Sequence, residues 1–302
     1  MSRFVVQTAG FVARGSAELG PRLFVDLLAL TKPRVTAMVL LTTATGIALA
    51  PASLSIARAF LTLVTVALVV GAANALNCYI ERDSDAKMHR TKDRPLAARR
   101  VAPAVALCFG LGLAGISLPV LWLVINPLTS LLAGFAFVSY VWIYTPLKRV
   151  TTDALLIGAI PGAMPPLMGW TAATGRLDLS GIVLFSMLFV WQLPHFLAIS
   201  LYLKDDYARG GLVVFPLVRG EEAARRWAAF WALAQLVVSL LPVLLAMAGL
   251  FYGVVATLAG VSYLIFAMKG VRKKGDRRWA RQLMLASIIY LTIVFAALVA
   301  TA

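Results

Sequence analysis

The residues best suited to chemistry are acids that lie close together at the end of an apolar segment. The chain has 13 Asp and Glu residues, and four of them fall between positions 81 and 93. Asn77, Glu81 and Asp85 are each four residues apart, so a helix that continues through them projects all three from one face. Two carboxylates one turn apart repel each other unless a cation lies between them. Such oxygen ligands suit Mg²⁺, so the spacing predicts a magnesium site.

The same loop supplies the opposite charge directly after the acids. Its basic residues are Lys87, Arg90, Lys92 and Arg94. A metal ion and several cations together can share the charge of a diphosphate, which guanidinium groups bind in a bidentate manner. We therefore predict a diphosphate site in which Arg90 and Arg94 bind the substrate. The alternative is a solvated, salt-bridged loop, but clustered acids in so acid-poor a chain favour the site.

A second loop repeats this pairing of acids and bases further along the chain. It begins with Lys204, Asp205 and Asp206 and continues through Arg209 into two glycines, which let a backbone approach a ligand closely. Taken alone, this pattern is hardly distinguishable from an ordinary turn. Because the loop follows another apolar segment on the same predicted side, we predict that both of its acids join the first cluster around one magnesium–diphosphate complex. Its Lys and Arg would then bind phosphate.

Three further groups of polar residues stand out, and two of them have two interpretations each. Lys148 and Arg149 begin a short loop and either bind the same phosphate, which we favour, or anchor a helix end by snorkelling. His195 lies inside an apolar run, where a polar residue usually faces the protein interior or a cavity. It either ligates or orients an aromatic or haem-type acceptor, or forms a bond between helices. Lys32 and Arg34 flank a proline and are candidate anchors.

The elements that position these residues are apolar segments. Hydrophobic residues make up 61% of the chain and charged residues 14%, with a mean hydropathy of +0.88. Runs of roughly 20 apolar residues are long enough to cross a bilayer core as helices. The runs are 34–50, 57–79, 102–123, 127–146, 154–173, 179–203, 227–248, 251–268 and 280–301. They predict an all-α integral membrane protein, with nine transmembrane helices around a central cavity and one domain over residues 1–302.

The distribution of basic residues predicts the orientation in the membrane. Of the 28 Lys and Arg residues, 26 fall in the alternate loops that share a side with the N-terminus. Cytoplasmic loops carry this excess, so the N-terminus is predicted inside and the C-terminus outside. The net charge of +15 then reflects the orientation in the membrane, and it would also attract anionic lipid or substrate. It does not indicate nucleic-acid binding. Residues 1–30 are predicted to be a cytoplasmic tail that leads into the first helix.

One predicted helix is unusually rich in proline and glycine. The stretch 158–169 contains three of each. Proline leaves backbone carbonyls without partners, which is tolerated in a membrane only where protein or a water-filled cavity receives them. The segment therefore either lines an internal cavity or packs closely against neighbouring helices through its small residues. Both interpretations are kept.

Several of these motifs resemble a known family. The pattern Asn77-x-x-x-Glu81-x-x-x-Asp85, followed by Met88-x-Arg90-Thr91-x-x-Arg94-Pro95-Leu96, resembles the first aspartate-rich signature of intramembrane (UbiA-type) prenyltransferases. A narrower resemblance, to the protohaem IX farnesyltransferases, covers residues 27–220. It rests on the blocks Leu30-Thr31-Lys32-Pro33-Arg34-Val35-Thr36, Tyr144-Thr145-Pro146-Leu147-Lys148-Arg149-x-Thr151, Pro165-Pro166-Leu167-x-Gly169-Trp170, Trp191-Gln192-Leu193-Pro194-His195-Phe196 and Asp206-Tyr207. This chain departs from the pattern at two positions. It has Glu81 where many relatives have Asp, and Tyr202 where other branches of the superfamily have an acid.

The resemblance implies an enzyme that uses Mg²⁺ as its cofactor. Farnesyl diphosphate and haem B would be its substrates and haem O its product, with Asn77, Glu81, Asp85 and Asp206 in the catalytic machinery and His195 facing the haem. It also implies a multi-pass protein of the inner (cytoplasmic) cell membrane with its site on the cytoplasmic side. Association with other proteins of haem biosynthesis or terminal-oxidase assembly is a further expectation. The alternatives are another aromatic acceptor such as a hydroxybenzoate or quinone precursor, a transporter, or a non-catalytic haem-handling protein.

Overall fold

The computed structural model describes residues 21–301, and within that range the chain is helical, without strands. Short loops join most of the helices. The helices named below are α1 (Pro21–Leu30), α2 (Pro33–Leu49), α3 (Ile56–Asp85), α4 (Pro103–Val120), α5 (Pro127–Val138), α6 (Ala154–Thr174), α7 (Leu179–Tyr202), α8 (Lys204–Arg209), α9 (Glu221–Ser239), α10 (Leu250–Arg272) and α11 (Arg277–Ala300). Two π-helical segments, Leu121–Ile125 and Ser139–Tyr144, prolong α4 and α5.

These helices confirm the prediction of an all-α integral membrane protein. Eight helices of the described chain are long and apolar enough to cross a membrane, and a shorter apolar helix of 17 residues, α2, coincides with the first predicted run. At 1.5 Å per residue α2 is about 25 Å long, slightly less than a bilayer core. Large apolar side chains such as Leu123 and Leu250 are exposed on the outer surface, as lipid contact requires. The count of nine and the orientation stay predictions.

The segment predicted as a tail contains a helix. Residues 1–20 lie outside the described part of the chain, whereas residues 21–30 form α1, for which the sequence analysis proposed no secondary structure. Leu23, Leu27 and Leu30 recur at helical spacing, which gives α1 one apolar stripe. That stripe packs on α3 and α4, and Leu30 is fully buried. The helix forms because this packing offsets the entropy of ordering so short a segment.

Helix α6 lies at the centre of the bundle, between α2, α5 and α7. Two glycines set how closely α2 and α6 approach. A Cβ atom on Gly46 would lie 2.0 Å from the carbonyl oxygen of Pro166, and one on Gly169 would lie 2.0 Å from that of Thr43. Most of α6 is buried, and only its first turn reaches the large cavity described below. Close packing through small residues is therefore the interpretation that the described helices support.

We expect Gly169→Ala to destabilise the protein. The added methyl group would meet a backbone oxygen that cannot rotate away, so overpacking should cost about 1–3 kcal/mol. Thermal unfolding of the purified protein in detergent would measure this as a lower Tm. Gly112→Ala in α4 is the matched control, because its new Cβ would have no atom within 4 Å and Ala favours a helix over Gly. A wild-type Tm for Gly169→Ala would contradict the close approach of α2 and α6.

Candidate functional site

The first acidic cluster lies where the sequence places it, at the end of α3. This helix has 30 residues and continues past its apolar run as far as Asp85. Asn77, Glu81 and Asp85 therefore stand one turn apart on one face and line the same cavity, of about 260 Å³. Their residues are only 1%, 5% and 1% exposed. Burial on this scale is incompatible with a solvated, salt-bridged loop.

The first carboxylate is connected to two lysines, to one of them through an amide. Asn77 Nδ2 donates a hydrogen bond to Glu81 Oε2 at 3.0 Å, while Asn77 Oδ1 accepts one from Lys32 Nζ at 2.8 Å. The other oxygen of Glu81 forms an ion pair with Lys148. Lys32 adopts a left-handed backbone conformation at φ 51°, a conformation that is costly for a residue with a side chain and is found most often at functional sites. These four residues form one connected polar network.

The second carboxylate keeps one oxygen without a partner. Asp85 Oδ2 accepts a hydrogen bond from Arg94 at 2.7 Å, and the Thr91 hydroxyl donates to the Asp85 carbonyl at 2.9 Å, which turns the loop back over the site. Asp85 Oδ1 is buried and has no hydrogen-bond donor among the described residues. A buried carboxylate oxygen without a partner is costly unless a cation or a donor reaches it. This oxygen therefore fits a cation in the cavity.

The arrangement suits magnesium better than a metal held by the protein alone. In the described residues no three acidic, His or Cys side chains converge on one point. Magnesium characteristically takes one or two protein carboxylates and completes its shell with water and substrate phosphate. Glu81 and Asp85 supply that number of carboxylates, and both face the same cavity.

Positive charge predominates around the cavity. Lys32, Arg90, Arg94 and Lys148 line it together with the two carboxylates, so four cations minus two anions leave a net charge of +2. Burial lowers the pKa of Lys32. Burial alone would also lower the pKa of Lys148, but Tyr144 and Glu81 raise it above its usual value, so this ammonium group stays charged. The excess positive charge suits a ligand that carries several negative charges.

Much of the remaining cavity wall is apolar. It includes Leu155, Phe196, Leu197, Leu212, Val214 and Phe215, which come from α6, from α7 and from the segment that follows α8. A cavity lined by both a group of cations and apolar side chains matches an amphiphile with an anionic head and a hydrocarbon tail.

The second acidic cluster lies beside this cavity and not in its wall. Asp205 and Asp206 line a neighbouring cavity with His89, Arg90 and Arg209. Asp206 accepts hydrogen bonds from the backbone N–H groups of His89 at 2.8 Å and Arg90 at 3.2 Å, and from Arg209 at 2.7 Å. In this arrangement Asp206 joins the first loop to α8. Its predicted role as a magnesium ligand, and that of Asp205, stay predictions.

The bonds to Asp206 have an electrostatic consequence. Burial alone would raise the pKa of this carboxyl group, but Arg209 and the two backbone N–H groups lower it below its ordinary value. A lowered pKa means that the folded loop favours the ionised carboxylate. The stabilisation is therefore fully present above about pH 4, the ordinary range of a carboxyl group, and is lost as the pH falls through the lowered pKa.

We expect Asp206→Asn to loosen the first loop. Asn carries no charge and so binds the N–H groups of His89, Arg90 and Arg209 more weakly than Asp does. The backbone amides between residues 86 and 94 should therefore lose about tenfold of their protection from hydrogen exchange. If Asp206 serves only to hold Arg90 in place, the apparent magnesium affinity should stay unchanged while KM for the diphosphate substrate rises. A weaker magnesium affinity in this variant would instead establish the ligand role that the sequence predicts.

Three predicted substrate-binding residues lie outside the large cavity. Arg149 donates hydrogen bonds to the Ser84 hydroxyl at 2.8 Å and the Ile80 carbonyl at 3.3 Å, which ties its loop to α3. Lys204 pairs with Glu221 at 2.5 Å. Arg209 pairs with Asp206. Of the predicted basic residues, the structure brings Arg90, Arg94 and Lys148 together.

His195 belongs to α7, and its side chain contacts α11. Its Nδ1 is 2.6 Å from the Ser287 hydroxyl, and its ring stacks on Trp191 with the centroids 4.8 Å apart. The Ser287 hydroxyl oxygen is also 2.6 Å from the Met284 carbonyl oxygen. If the Ser287 hydroxyl proton bonds to Met284, His195 carries its proton on Nδ1 and has a lone pair on Nε2; if it bonds to His195, the tautomer is the opposite one. Phe196, the next residue, lines the large cavity.

The sequence analysis missed several residues of the cavity wall. Tyr140, Tyr144 and Tyr207 line it, and Lys32, considered only as an anchor, does so too. The ring of Tyr144 lies 4.7 Å from Lys148 Nζ, close enough for a cation–π contact. The pair Tyr140 and Tyr144, spaced by four residues at the end of an apolar run, was the one available signal.

Comparison with known proteins agrees with this geometry. The model of the UbiA prenyltransferase family matches residues 39–289. The protoheme IX farnesyltransferase of Anaeromyxobacter sp. (strain Fw109-5) is 58% identical over 273 residues, which cover 90% of this chain and 92% of that protein. The protein of the same name from Anaeromyxobacter dehalogenans (strain 2CP-C) is 50% identical with the same coverage.

Solved structures share the fold at low sequence identity. One, from work on digeranylgeranylglyceryl phosphate synthase, has a TM-score of 0.78 at 16% identity and covers 92% of this chain and 98% of its own. A UbiA homologue from Archaeoglobus fulgidus, bound to GPP and Mg²⁺, has a TM-score of 0.63 at 14% identity and covers 90% and 99%. The chain therefore belongs to the UbiA prenyltransferase family and, within it, to the protoheme IX farnesyltransferases.

Proposed function

We propose that this prenyltransferase transfers a farnesyl group from farnesyl diphosphate to a vinyl group of haem B, which yields haem O. The observation that carries the proposal is one cavity in which two buried carboxylates and four cations give way to an apolar wall. The relatives at 50–58% identity, named protoheme IX farnesyltransferases, supply the identity of both substrates. A cavity of this kind fits the diphosphate head and the hydrocarbon tail of a prenyl donor.

The charged end of the cavity would bind the diphosphate. Glu81 and Asp85 are the residues that would hold Mg²⁺, which, when bound, supplies positive charge to the departing diphosphate. Lys32, Arg94 and Lys148 face the same space and would neutralise the leaving group as its charge develops. Arg90 is held there through its own backbone N–H, which donates to Asp206.

The apolar end would protect the reactive farnesyl group. When the C1–O bond of farnesyl diphosphate breaks, its electron pair leaves with the diphosphate and C1 becomes an allylic cation. Phe196, Leu197 and Phe215 would exclude water from this cation until the vinyl group attacks. The electron-rich vinyl group needs no strong base, which agrees with a cavity wall of acids already paired with Lys148 and Arg94.

The haem would approach from the side of α7. In the tautomer that carries its proton on Nδ1, His195 donates to Ser287, and a histidine that ligates a metal usually donates its other N–H in this way. Its Nε2, which has no hydrogen-bond partner among residues 21–301, would then be available to the iron of the substrate. Phe196, beside it, forms part of the cavity wall.

The basic loops support a location in the cell membrane with the site towards the cytoplasm. Glu81, Asp85, Arg94 and Lys148 all lie at or beyond helix ends on the side predicted to face the cytoplasm. Soluble farnesyl diphosphate would reach the cavity from that side. Association with other proteins of haem biosynthesis or terminal-oxidase assembly stays a prediction of the resemblance.

The reaction itself tests the proposal. The purified full-length protein in detergent would be incubated with farnesyl diphosphate, haem B and magnesium, and the haem read by mass spectrometry. We expect a product heavier by one farnesyl group and one water, and none when a chelator removes the metal. Diphosphate release with unchanged haem would mean that the acceptor is a different aromatic compound. If neither is seen, the proposed enzymatic function is wrong and transport becomes the function to test.

A further inference from the structure

A second polar cluster lies within the last three long helices, away from the diphosphate site. We call Gln235, Tyr263, Ser287 and Tyr290 the internal polar cluster. They come from α9, α10 and α11, and each is at most 5% exposed. The rings of Tyr263 and Tyr290 are 5.8 Å apart. Tyr263 lies close to Ser287, and Tyr290 lies close to Ser239 and Gln235. The four side chains thus form a continuous polar strip inside otherwise apolar packing.

Three members of this cluster, Gln235, Tyr263 and Tyr290, lack hydrogen-bond partners of ordinary geometry within the described chain. Neither amide atom of Gln235 has a hydrogen bond of ordinary geometry, and the hydroxyls of Tyr263 and Tyr290 have none either. In hydrocarbon each such group costs free energy comparable to a lost hydrogen bond. By contrast, the nearby Tyr252 hydroxyl donates to the Ser239 carbonyl at 2.7 Å. The lack of a partner is therefore not general to the tyrosines of these helices.

The chemistry of the cluster identifies its ligand class. It offers neutral donors and acceptors and no charge, so it fits neither a diphosphate nor a metal ion. A water molecule makes two to four hydrogen bonds and occupies buried polar sites of this kind. Ser287 connects the cluster to His195, whose neighbour Phe196 lines the large cavity. One end of the cluster therefore lies next to the wall of the cavity where the acceptor is proposed to react.

We propose that the internal polar cluster holds the water that the reaction consumes. This inference rests on the proposed function. After C1 of the farnesyl group bonds to the terminal vinyl carbon, the vinyl carbon next to the haem ring is a cation. A water molecule from the cluster forms a C–O bond to that carbon with its lone pair. Its surplus proton passes to the neighbouring water molecules of the cluster, and the product gains a hydroxyl group.

The competing fate of the same cation gives a specific readout. Without a positioned water molecule, the cation loses a proton from the adjacent CH₂ group and forms a carbon–carbon double bond. That product is farnesylated but lighter by one water. Mass spectrometry of the haem therefore measures the ratio of dehydrated to hydrated product, which a merely structural defect, one that slows turnover as a whole, would leave unchanged.

The test compares Tyr263→Phe, Tyr290→Phe and Gln235→Leu with the wild-type protein. Each variant removes a hydrogen-bonding group at nearly constant volume, and the dehydrated-to-hydrated ratio should rise about fivefold for each hydrogen bond lost to the water. Tyr252→Phe is the matched control, because its hydroxyl already has a protein partner, and its ratio should equal that of the wild type. An unchanged ratio in all three cluster variants would overturn the inference. Absence of any farnesylated haem from the wild-type protein would instead refute the proposed function.

A second measurement needs no variant and covers the case in which a variant fails to fold. Hydroxyl radicals generated by a brief X-ray pulse modify buried side chains fastest where water is bound beside them. In the wild-type protein Tyr263 and Tyr290 should be modified several times faster than Tyr252, although all three are buried. Equal or slower modification would show that the cluster is dry, and the inference would then be wrong.

Discussion

Asp85→Asn is expected to lower kcat by about a hundred- to a thousandfold, the loss seen when one preorganised electrostatic group is removed from an active site. Asn has nearly the same shape but cannot offer a charged oxygen to a cation. The position is sensitive because Asp85 is almost fully buried and one of its oxygens has no protein donor. Diphosphate release measured across a magnesium titration should show both the lower kcat and a higher magnesium requirement.

Asp83→Asn provides the matched control. Asp83 lies two residues away on the same helix, but its side chain is 84% exposed and points away from the cavity. Asp83→Asn makes the same change of charge as Asp85→Asn but does not alter the site. Its kcat should therefore remain within about twofold of the wild type, as for most surface substitutions. Equal losses in the two variants would show that the general charge of this helix end matters, and the proposed ligand role of Asp85 would be wrong.

Lys148→Gln is expected to lower kcat/KM about a hundredfold, since it removes one of the cations placed to neutralise the leaving diphosphate. The same change lowers the net charge of the cavity wall from +2 to +1, so magnesium alone should bind more tightly. Substrate and metal thus respond in opposite directions. Isothermal titration with magnesium, together with steady-state kinetics, would measure both effects in the same preparation.

Arg149→Gln is the control for Lys148→Gln. The two residues are adjacent, and the sequence assigned both to phosphate. In the fold, however, Lys148 contacts Glu81 whereas Arg149 donates to Ser84 and Ile80. Arg149→Gln should therefore lower thermal stability modestly and leave the magnesium affinity unchanged. A larger kinetic loss for Arg149→Gln than for Lys148→Gln would contradict the placement of these two side chains.

The sequence could predict the features that depend on local spacing. The nine apolar runs coincide with helices because their length and composition reflect a bilayer. Asn77, Glu81 and Asp85 lie on one face because a helix brings every fourth residue into line. Arg90 and Arg94 follow within one tight loop, so their proximity to the acids also depended on a short stretch of chain. Motif resemblance added the family, which the comparisons confirm.

Other features were decided only by the tertiary structure. Lys32 reaches Asn77 across 45 positions of the sequence, and Asp206 reaches the backbone of His89 across 117. Periodicity within one segment cannot predict contacts between residues so far apart in the sequence, because these contacts depend on how the helices pack. The same holds for the choice between Lys148 and Arg149, since a small rotation at a helix end determines which of two neighbouring cations enters the cavity.

The internal polar cluster also could not be predicted from the sequence, because its helices are apolar in composition. Gln235, Tyr263 and Tyr290 lie in three different long hydrophobic helices, and no spacing within one helix predicts that they meet. Packing of α9, α10 and α11 brings their unpartnered atoms together. The sequence thus determined which helices exist and which faces carry charge, because those properties are local. The tertiary structure alone decided which distant polar groups meet, because burial and hydrogen bonding act between helices and not along them.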